Sequence, residues 1–266
     1  MKKILYSNAL ALVILLVISS ATLFAQDIKI GFRDSIESRV LNESRRFIVR
    51  LPADYNQSDK SYPVLYRLDG DLNFFTETLG AVNRLANMEE LMPDMIIVMI
   101  ENTNRNRDMM PVNTFFFESD PGAENFKEFF EEELIPHVNR SFRTSDEKVL
   151  CGQSLSSIFT LYYFLTSPDV FNSYIACSAG FPDCEDYFIA LTSEFLNANH
   201  TGDKKIFLTY GVKDPLDPDG LIKAQLDNFT EMLKADENVV CGYKIYEDEG
   251  HVPYPSLYDG LKFLYE

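Results

Sequence analysis

Short apolar runs, each closed by turn residues, alternate along this chain with longer stretches whose apolar positions recur every three or four residues. The short runs are 27–32, 46–51, 62–68, 95–100, 148–151, 174–177, 205–210 and 239–246. Such runs, bounded by Gly, Pro, Asp or Asn, predict buried strands. The helical stretches are 73–92, 123–138, 156–166, 221–235 and 254–265. Within 123–138, Phe126, Phe129, Phe130, Leu134 and Ile135 fall on one helical face. Residues 101–113 read as a long polar loop. Residues 181–204 show neither period and are expected to form an irregular cover over the site. Regular alternation of strand and helix predicts a mainly parallel central sheet with helices on both faces. Reactive residues in such sheets gather at the carboxyl ends of the strands. Four polar turns fall there: 69–72, 152–156, 211–219 and 248–251.

The N-terminus departs from this pattern. It reads MKKILYSNALALVILLVISSATLFAQ, with Lys2 and Lys3 ahead of an apolar run that ends in small polar residues. This is the layout of a secretory signal peptide over 1–25. The run is too short for a bilayer span, which needs about 20 residues. Export to the periplasm or the extracellular space is therefore expected, with 26–266 as one domain and no stable membrane insertion once the leader is removed. Removal takes away two lysines and no acid, moving the net charge from −17 to −19. A surface this acidic argues against nucleic acid and anionic membranes as partners. The four cysteines, Cys151, Cys177, Cys184 and Cys241, make no CxxC or CxxH metal pattern. Cys151 and Cys177 sit in strand-like runs and are expected as buried free thiols; a Cys177–Cys184 bridge stays open. No metal or organic cofactor is expected.

The chemistry centres on Gly152-Gln153-Ser154-Leu155-Ser156, between the strand VLC and an apolar helix. It resembles the nucleophile elbow G-x-S-x-G with the last Gly replaced by Ser. A nucleophile lifted on a sharp strand-to-helix turn needs small neighbours two residues away, because strand and helix nearly touch. A serine hydroxyl also needs a base, and the chain has three histidines. His137 follows Pro136 at the end of an acidic helix and reads as structural. His200 lies in the polar stretch NANHTG and reads as surface. His251 follows the last strand, where the order nucleophile, acid, base of α/β-hydrolase elbows puts the base. The acid must lie between Ser154 and His251. Asp214, Asp217 and Asp219 all follow the strand KIFLTY, and Asp214, nearest the strand end, is favoured. The backbone N–H of Leu155 and one from the turn 70–72, Asp71 or Leu72, are the candidate oxyanion donors.

The same pieces carry a family likeness. YPVLYRLDGD at 62–71, IENTNRNRDMMP at 100–111, EELIPHVNRSFRT at 132–144, CGQSLSSIFTLYYF at 151–164, YGVKD at 210–214 and EGHVPYPSLYDGLKFLY at 249–265 span nearly all of the chain after the leader. In content, order and spacing they resemble the putative esterase family of α/β hydrolases. That group takes in enterochelin-type siderophore esterases, feruloyl esterases, S-formylglutathione hydrolases and mycolyltransferases. The resemblance implies an α/β-hydrolase fold, Ser154 as nucleophile, the Asp of GVKD as acid, His251 as base and an oxyanion hole near 70–72. The family usually reads GxSxGG at the elbow, where this chain has Ser156 and Ser157. Arg105, Arg107 and Asp108 are expected to hold their loop together by ion pairing.

The expected activity is hydrolysis of a carboxylic ester, on a small molecule or linked to a polysaccharide, through an acyl-enzyme. An acyltransferase using the same three residues, a serine peptidase, and an inactive binding module are the rival expectations. The leader is checked directly: protein recovered from the cell envelope or medium should begin at Gln26 by mass spectrometry, and intact 1–266 in the membrane fraction would contradict cleavage.

Overall fold

The computed structural model describes residues 28–115, 117, 120–181, 183–198 and 204–266. The leader expected at 1–25 and His200 lie outside them. The chain divides into two units, Met1–Ile30 and Gly31–Glu266, and every element below belongs to the second.

Eight strands form one sheet: β1 (Phe32–Ser38), β2 (Glu43–Arg50), β3 (Tyr62–Arg67), β4 (Ile96–Ile100), β5 (Thr144–Gln153), β6 (Ser173–Cys177), β7 (Lys204–Gly211) and β8 (Val239–Tyr246), in the order β1-β2-β4-β3-β5-β6-β7-β8. The two pairings β1–β2 and β2–β4 are antiparallel, and the five that follow, from β4–β3 to β7–β8, are parallel. The helices are α1 (Leu72–Asn83), α2 (Arg105–Met109), α3 (Ala123–Phe129), α4 (Ile135–Ser141), α5 (Leu155–Thr166), α6 (Glu185–Asn197), α7 (Leu221–Lys234) and α8 (Ser256–Tyr265).

Strand periodicity sorts the apolar residues into two cores, one on each face of the sheet. Val49, Tyr66, Val98, Leu150, Tyr174 and Leu208 point one way and pack with Phe126, Phe130, Phe159, Phe188 and Phe229 from α3 and its continuation, α5, α6 and α7. Ile48, Leu65, Ile97, Val149, Ile175 and Phe207 point the other way, towards Phe75 and Val82 of α1 and Leu257 and Leu261 of α8. Cover on both faces explains why all six residues of β3 are buried and why the central strands read as continuous apolar runs. This is the α/β-hydrolase fold.

Five expectations need correction. The stretch 101–113 is not all loop: Arg105–Met109 form the short helix α2, capped by the Asn104 side chain accepting from Arg107 N–H, and too short to show an apolar period. The first strand lies at Phe32–Ser38, not 27–32, and its sequence FRDSIES alternates exposed with shielded positions. An edge strand buries one side only, so an apolar scan passes over it. β5 starts at Thr144, not Lys148; its first half is polar and only part-shielded, so an apolar scan finds only its end. Within the stretch expected to be irregular, Glu185–Asn197 form α6, whose Phe188, Thr192 and Phe195 are buried at helical spacing, with the Phe195 ring tilted against that of Phe164 at a centroid distance of 4.9 Å. His137 is inside α4, not at a helix end, and its Nε2 lies 2.9 Å from Asp34 Oδ2 on β1. All four cysteines are free, and Cys184 is buried with Cys151 and Cys177.

The loops after β7 and β8 are bound to each other by backbone. The N–H of Lys213 donates to the Glu249 carbonyl at 2.9 Å, and that of Val212 to Tyr246 at 2.9 Å. A Cβ on Gly211 would sit 2.1 Å from the Gly250 carbonyl oxygen. Gly211→Ala should therefore destabilise by about 3 kcal/mol or more, lowering Tm by roughly 10 °C. A melting curve matching the native protein would show that the two loops do not lie this close.

Candidate active site

Ser154 sits between the end of β5 and the start of α5 with φ 51° and ψ −125°. Positive φ is disfavoured for a residue with a Cβ, and the surroundings impose it. Its N–H donates to the Cys177 carbonyl on β6 at 2.8 Å, and its own carbonyl accepts from Ser157 N–H at 2.9 Å. Strand and helix are so close that a Cβ on Gly152 would fall 2.2 Å from the Ser156 carbonyl. Gln153 is fixed from two sides. Arg67, buried beneath it, donates to its Oε1 at 2.5 Å, and Arg105 reaches its carbonyl at 3.3 Å.

His251 Nε2 lies 2.8 Å from Ser154 Oγ, and His251 Nδ1 lies 2.6 Å from Asp214 Oδ2. A carboxylate only accepts, so the neutral ring carries its proton on Nδ1 and Nε2 accepts from the serine hydroxyl. The His251 side chain is 26% exposed and that of Asp214 2%. The other oxygen of Asp214 accepts from Leu216 N–H at 2.8 Å, which fixes the carboxylate plane.

The three aspartates of this loop separate by what they already hold. Asp217 is saturated, taking Tyr210 OH at 2.8 Å and the N–H groups of Ile222 and Lys223 at 2.9 Å each. Burial opposes its charge, but these bonds prevail and hold its carboxyl below the usual range. It caps α7. Asp219 is exposed. Asp214 alone meets His251.

The turn after β3 supplies the facing side. Asp71 caps α1, its Oδ1 accepting from Asn73 and Phe74 N–H at 2.7 and 3.0 Å, while its own N–H donates to the Asp69 carbonyl at 2.9 Å. Leu72 opens α1 and Leu155 opens α5, so neither N–H has a carbonyl four residues back to bond. Of the two candidates in the turn, this favours Leu72.

Positive φ recurs along this edge, at Asp69 (58°), Ser154 (51°), Ser178 (49°) and Val252 (55°). Strain in non-glycine residues gathers at working sites. Val252, β-branched and next to His251, is held by its N–H donating to Ser178 Oγ at 3.1 Å. Nothing in the sequence singles out Ser178, because the signal is its contact with a residue 74 positions away. Arg105 also differs from expectation. Arg107 pairs with Asp108 at 2.7 Å as expected, but Arg105 turns to Asp69, with Nε–Oδ1 2.6 Å and Nη2–Oδ2 2.8 Å. Asp108 takes the buried Arg45 at 2.6 Å instead. Among the described residues no group of acidic, Cys and His side chains could hold a metal ion, and no helix is long and apolar enough to cross a membrane.

The sequence profile of one family, described as putative esterase, matches residues 38–225. The chain belongs to this esterase family. Over 164 residues it is 28% identical to ferri-bacillibactin esterase BesA of Bacillus subtilis (strain 168), a match covering 54% of this chain and 57% of that protein. The chain thus spans a little over half the length of this curated relative. An IroE-like serine hydrolase from Shewanella oneidensis has a solved structure that is 28% identical, with a TM-score of 0.81 over 88% of this chain and 80% of that one. The BES protein from Bacillus cereus shares the fold at 23% identity, with a TM-score of 0.74 over 92% and 98% of the two chains.

Within this esterase-family site the acid can be tested. Asp214→Asn should lower kcat about 10⁴-fold, the scale seen when a triad aspartate loses its charge, while Asp217→Asn should act through stability alone. Near-native turnover in Asp214→Asn with severe loss in Asp217→Asn would reverse the assignment.

Proposed function

We propose that the protein is a serine esterase that cleaves carboxylic esters through an acyl-enzyme, with Ser154 as nucleophile, His251 as general base and then acid, and Asp214 as the orienting carboxylate. The unbroken hydrogen-bond line from Asp214 through His251 to Ser154, at 2.6 and 2.8 Å, carries this reading. Membership of the esterase family supports the reaction class.

The steps follow from the positions. His251 Nε2 takes the hydroxyl proton as Ser154 Oγ attacks the carbonyl carbon. The ring becomes cationic, and the carboxylate of Asp214, buried against Nδ1, stabilises that charge. The carbonyl oxygen gains a negative charge and accepts hydrogen bonds from the N–H groups of Leu155 and Leu72. Collapse expels the alcohol, which takes the proton from Nε2. Water then enters, gives its proton to Nε2 and attacks the acyl carbon, and Ser154 regains its proton as the acid leaves. Each step moves one proton through one imidazole, so no cofactor is called for.

For the substrate, the relative at 28% identity named for a ferri-siderophore ester favours an ester-bearing siderophore over a polysaccharide ester. The leader layout at 1–25 supports action outside the cytoplasm, with 26–266 as the working enzyme. Ser154→Ala should reduce kcat on p-nitrophenyl acetate by about 10⁴- to 10⁶-fold. Turnover at the native level in that variant would refute the nucleophile.

A further inference from the structure

The elbow departs from the usual GxSxG at Ser156, and that residue is fully buried. A serine there could be a tolerated small side chain with its hydroxyl turned back on the helix. Its bonds say otherwise. Ser156 Oγ accepts the Gln153 N–H at 2.7 Å and lies 2.7 Å from Asp69 Oδ2 and 2.9 Å from the Gln153 carbonyl. One hydroxyl has one proton to give, and the ionised, nearer oxygen of Asp69 takes it. Asp69 is itself fixed. Its Oδ1 accepts from Asn102 at 2.7 Å, Arg105 grips both oxygens, and its carbonyl receives the Asp71 N–H at 2.9 Å. Burial resists the charge, yet Arg105, Asn102 and Ser156 together hold the carboxyl below its usual range.

What this bond connects matters more than its strength. Leu155 precedes Ser156 by one residue, and Leu72 follows Asp69 by three. The two candidate oxyanion donors come from different turns 83 positions apart in the chain, and between the side chains of those turns the Ser156–Asp69 contact is a direct link. We propose that Ser156 is a positioning residue, whose hydroxyl bond to Asp69 sets the gap between the two oxyanion-hole N–H groups. The proposal rests on the triad reading above. A donor pair is effective only when both N–H groups sit about 3 Å from the place the oxyanion will occupy, so a small drift between the turns weakens the transition state and leaves the ground state nearly untouched. Restoring the glycine usual in the family therefore harms this protein, because glycine has no hydroxyl and drops the tether to Asp69.

The test compares Ser156→Gly and Ser156→Ala with the native enzyme, and uses Ser154→Ala as the blank. Melting curves establish that each variant folds, active-site titration counts working enzyme, and p-nitrophenyl acetate gives kcat and KM. Inhibition by phenylboronic acid, whose tetrahedral adduct on Ser154 places an oxygen in the oxyanion hole, reads the donors themselves. Both Ser156 variants should lose about 10- to 100-fold in kcat, the scale of a misplacement near 1 Å, with KM within about threefold. The boronic acid Ki should rise by the same factor as kcat/KM falls. A folded variant with native kcat and native Ki would overturn the proposal. So would a smaller titrated fraction whose remaining sites keep the native Ki, since that is loss of fold and not of geometry. If alanine prevents folding, glycine decides; failure of both to fold also overturns it, because the bond would then be holding the core. Native turnover by Ser154→Ala would instead bring down the triad reading, a result separate from any of these.

Discussion

A single residue held at φ 51° between β5 and α5 is the constraint on which the rest of the site depends. An ordinary backbone would carry Ser154 into the helix and bury its hydroxyl in the elbow. The unfavourable turn, costing about 1–3 kcal/mol in such positions, lifts the hydroxyl to the edge of the sheet and leaves the Leu155 N–H without a helical partner. The strain persists because its neighbours are over-determined. β5 is paired on both sides, to β3 and β6, the Ser154 N–H is taken by Cys177, and Gly152 admits the helix at a distance no Cβ allows.

The sheet then brings distant loops to that hydroxyl. Parallel pairing of β5, β6, β7 and β8 lines up their carboxyl ends, so residues 154, 178, 214 and 251 come together although nearly a hundred positions separate the first from the last. Two cores, one on each face, keep those strands from shifting. Polar clamps complete the edge. Arg105 ties Asp69 to the elbow carbonyl at Gln153, and the buried Arg45–Asp108 pair fixes α2, from which Arg105 comes. Removing one partner of such a pair leaves a charge buried and uncompensated, so these clamps are conditions for the site and not surface ornament.

Much of this was legible in the residues. The central strands announce themselves because both of their faces are buried, and the Ser-acid-His order fits a sheet whose reactive loops share one edge. Nearness to the strand end and the resemblance at GVKD both favour Asp214 over Asp217; the structure adds a physical reason, since Asp217 spends its oxygens on Tyr210 and the first turn of α7. What stayed hidden has a common cause. β1 buries only alternate side chains, and α6 has its apolar residues spread among polar ones, so local averages dilute both. The partners of Arg105, Ser156 and Ser178 lie 36, 87 and 74 positions away, and no spacing rule in a single sequence encodes a contact of that range.

The proposed catalysis requires Ser154 to be activated by His251. Reaction with a fluorophosphonate, followed by peptide mass spectrometry, measures that activation at the atom concerned. One equivalent of phosphonyl group on the peptide carrying Ser154 in the native protein, with labelling slowed at least a hundredfold in His251→Ala, is the predicted result. An unlabelled Ser154, or labelling at the same rate without His251, would contradict it.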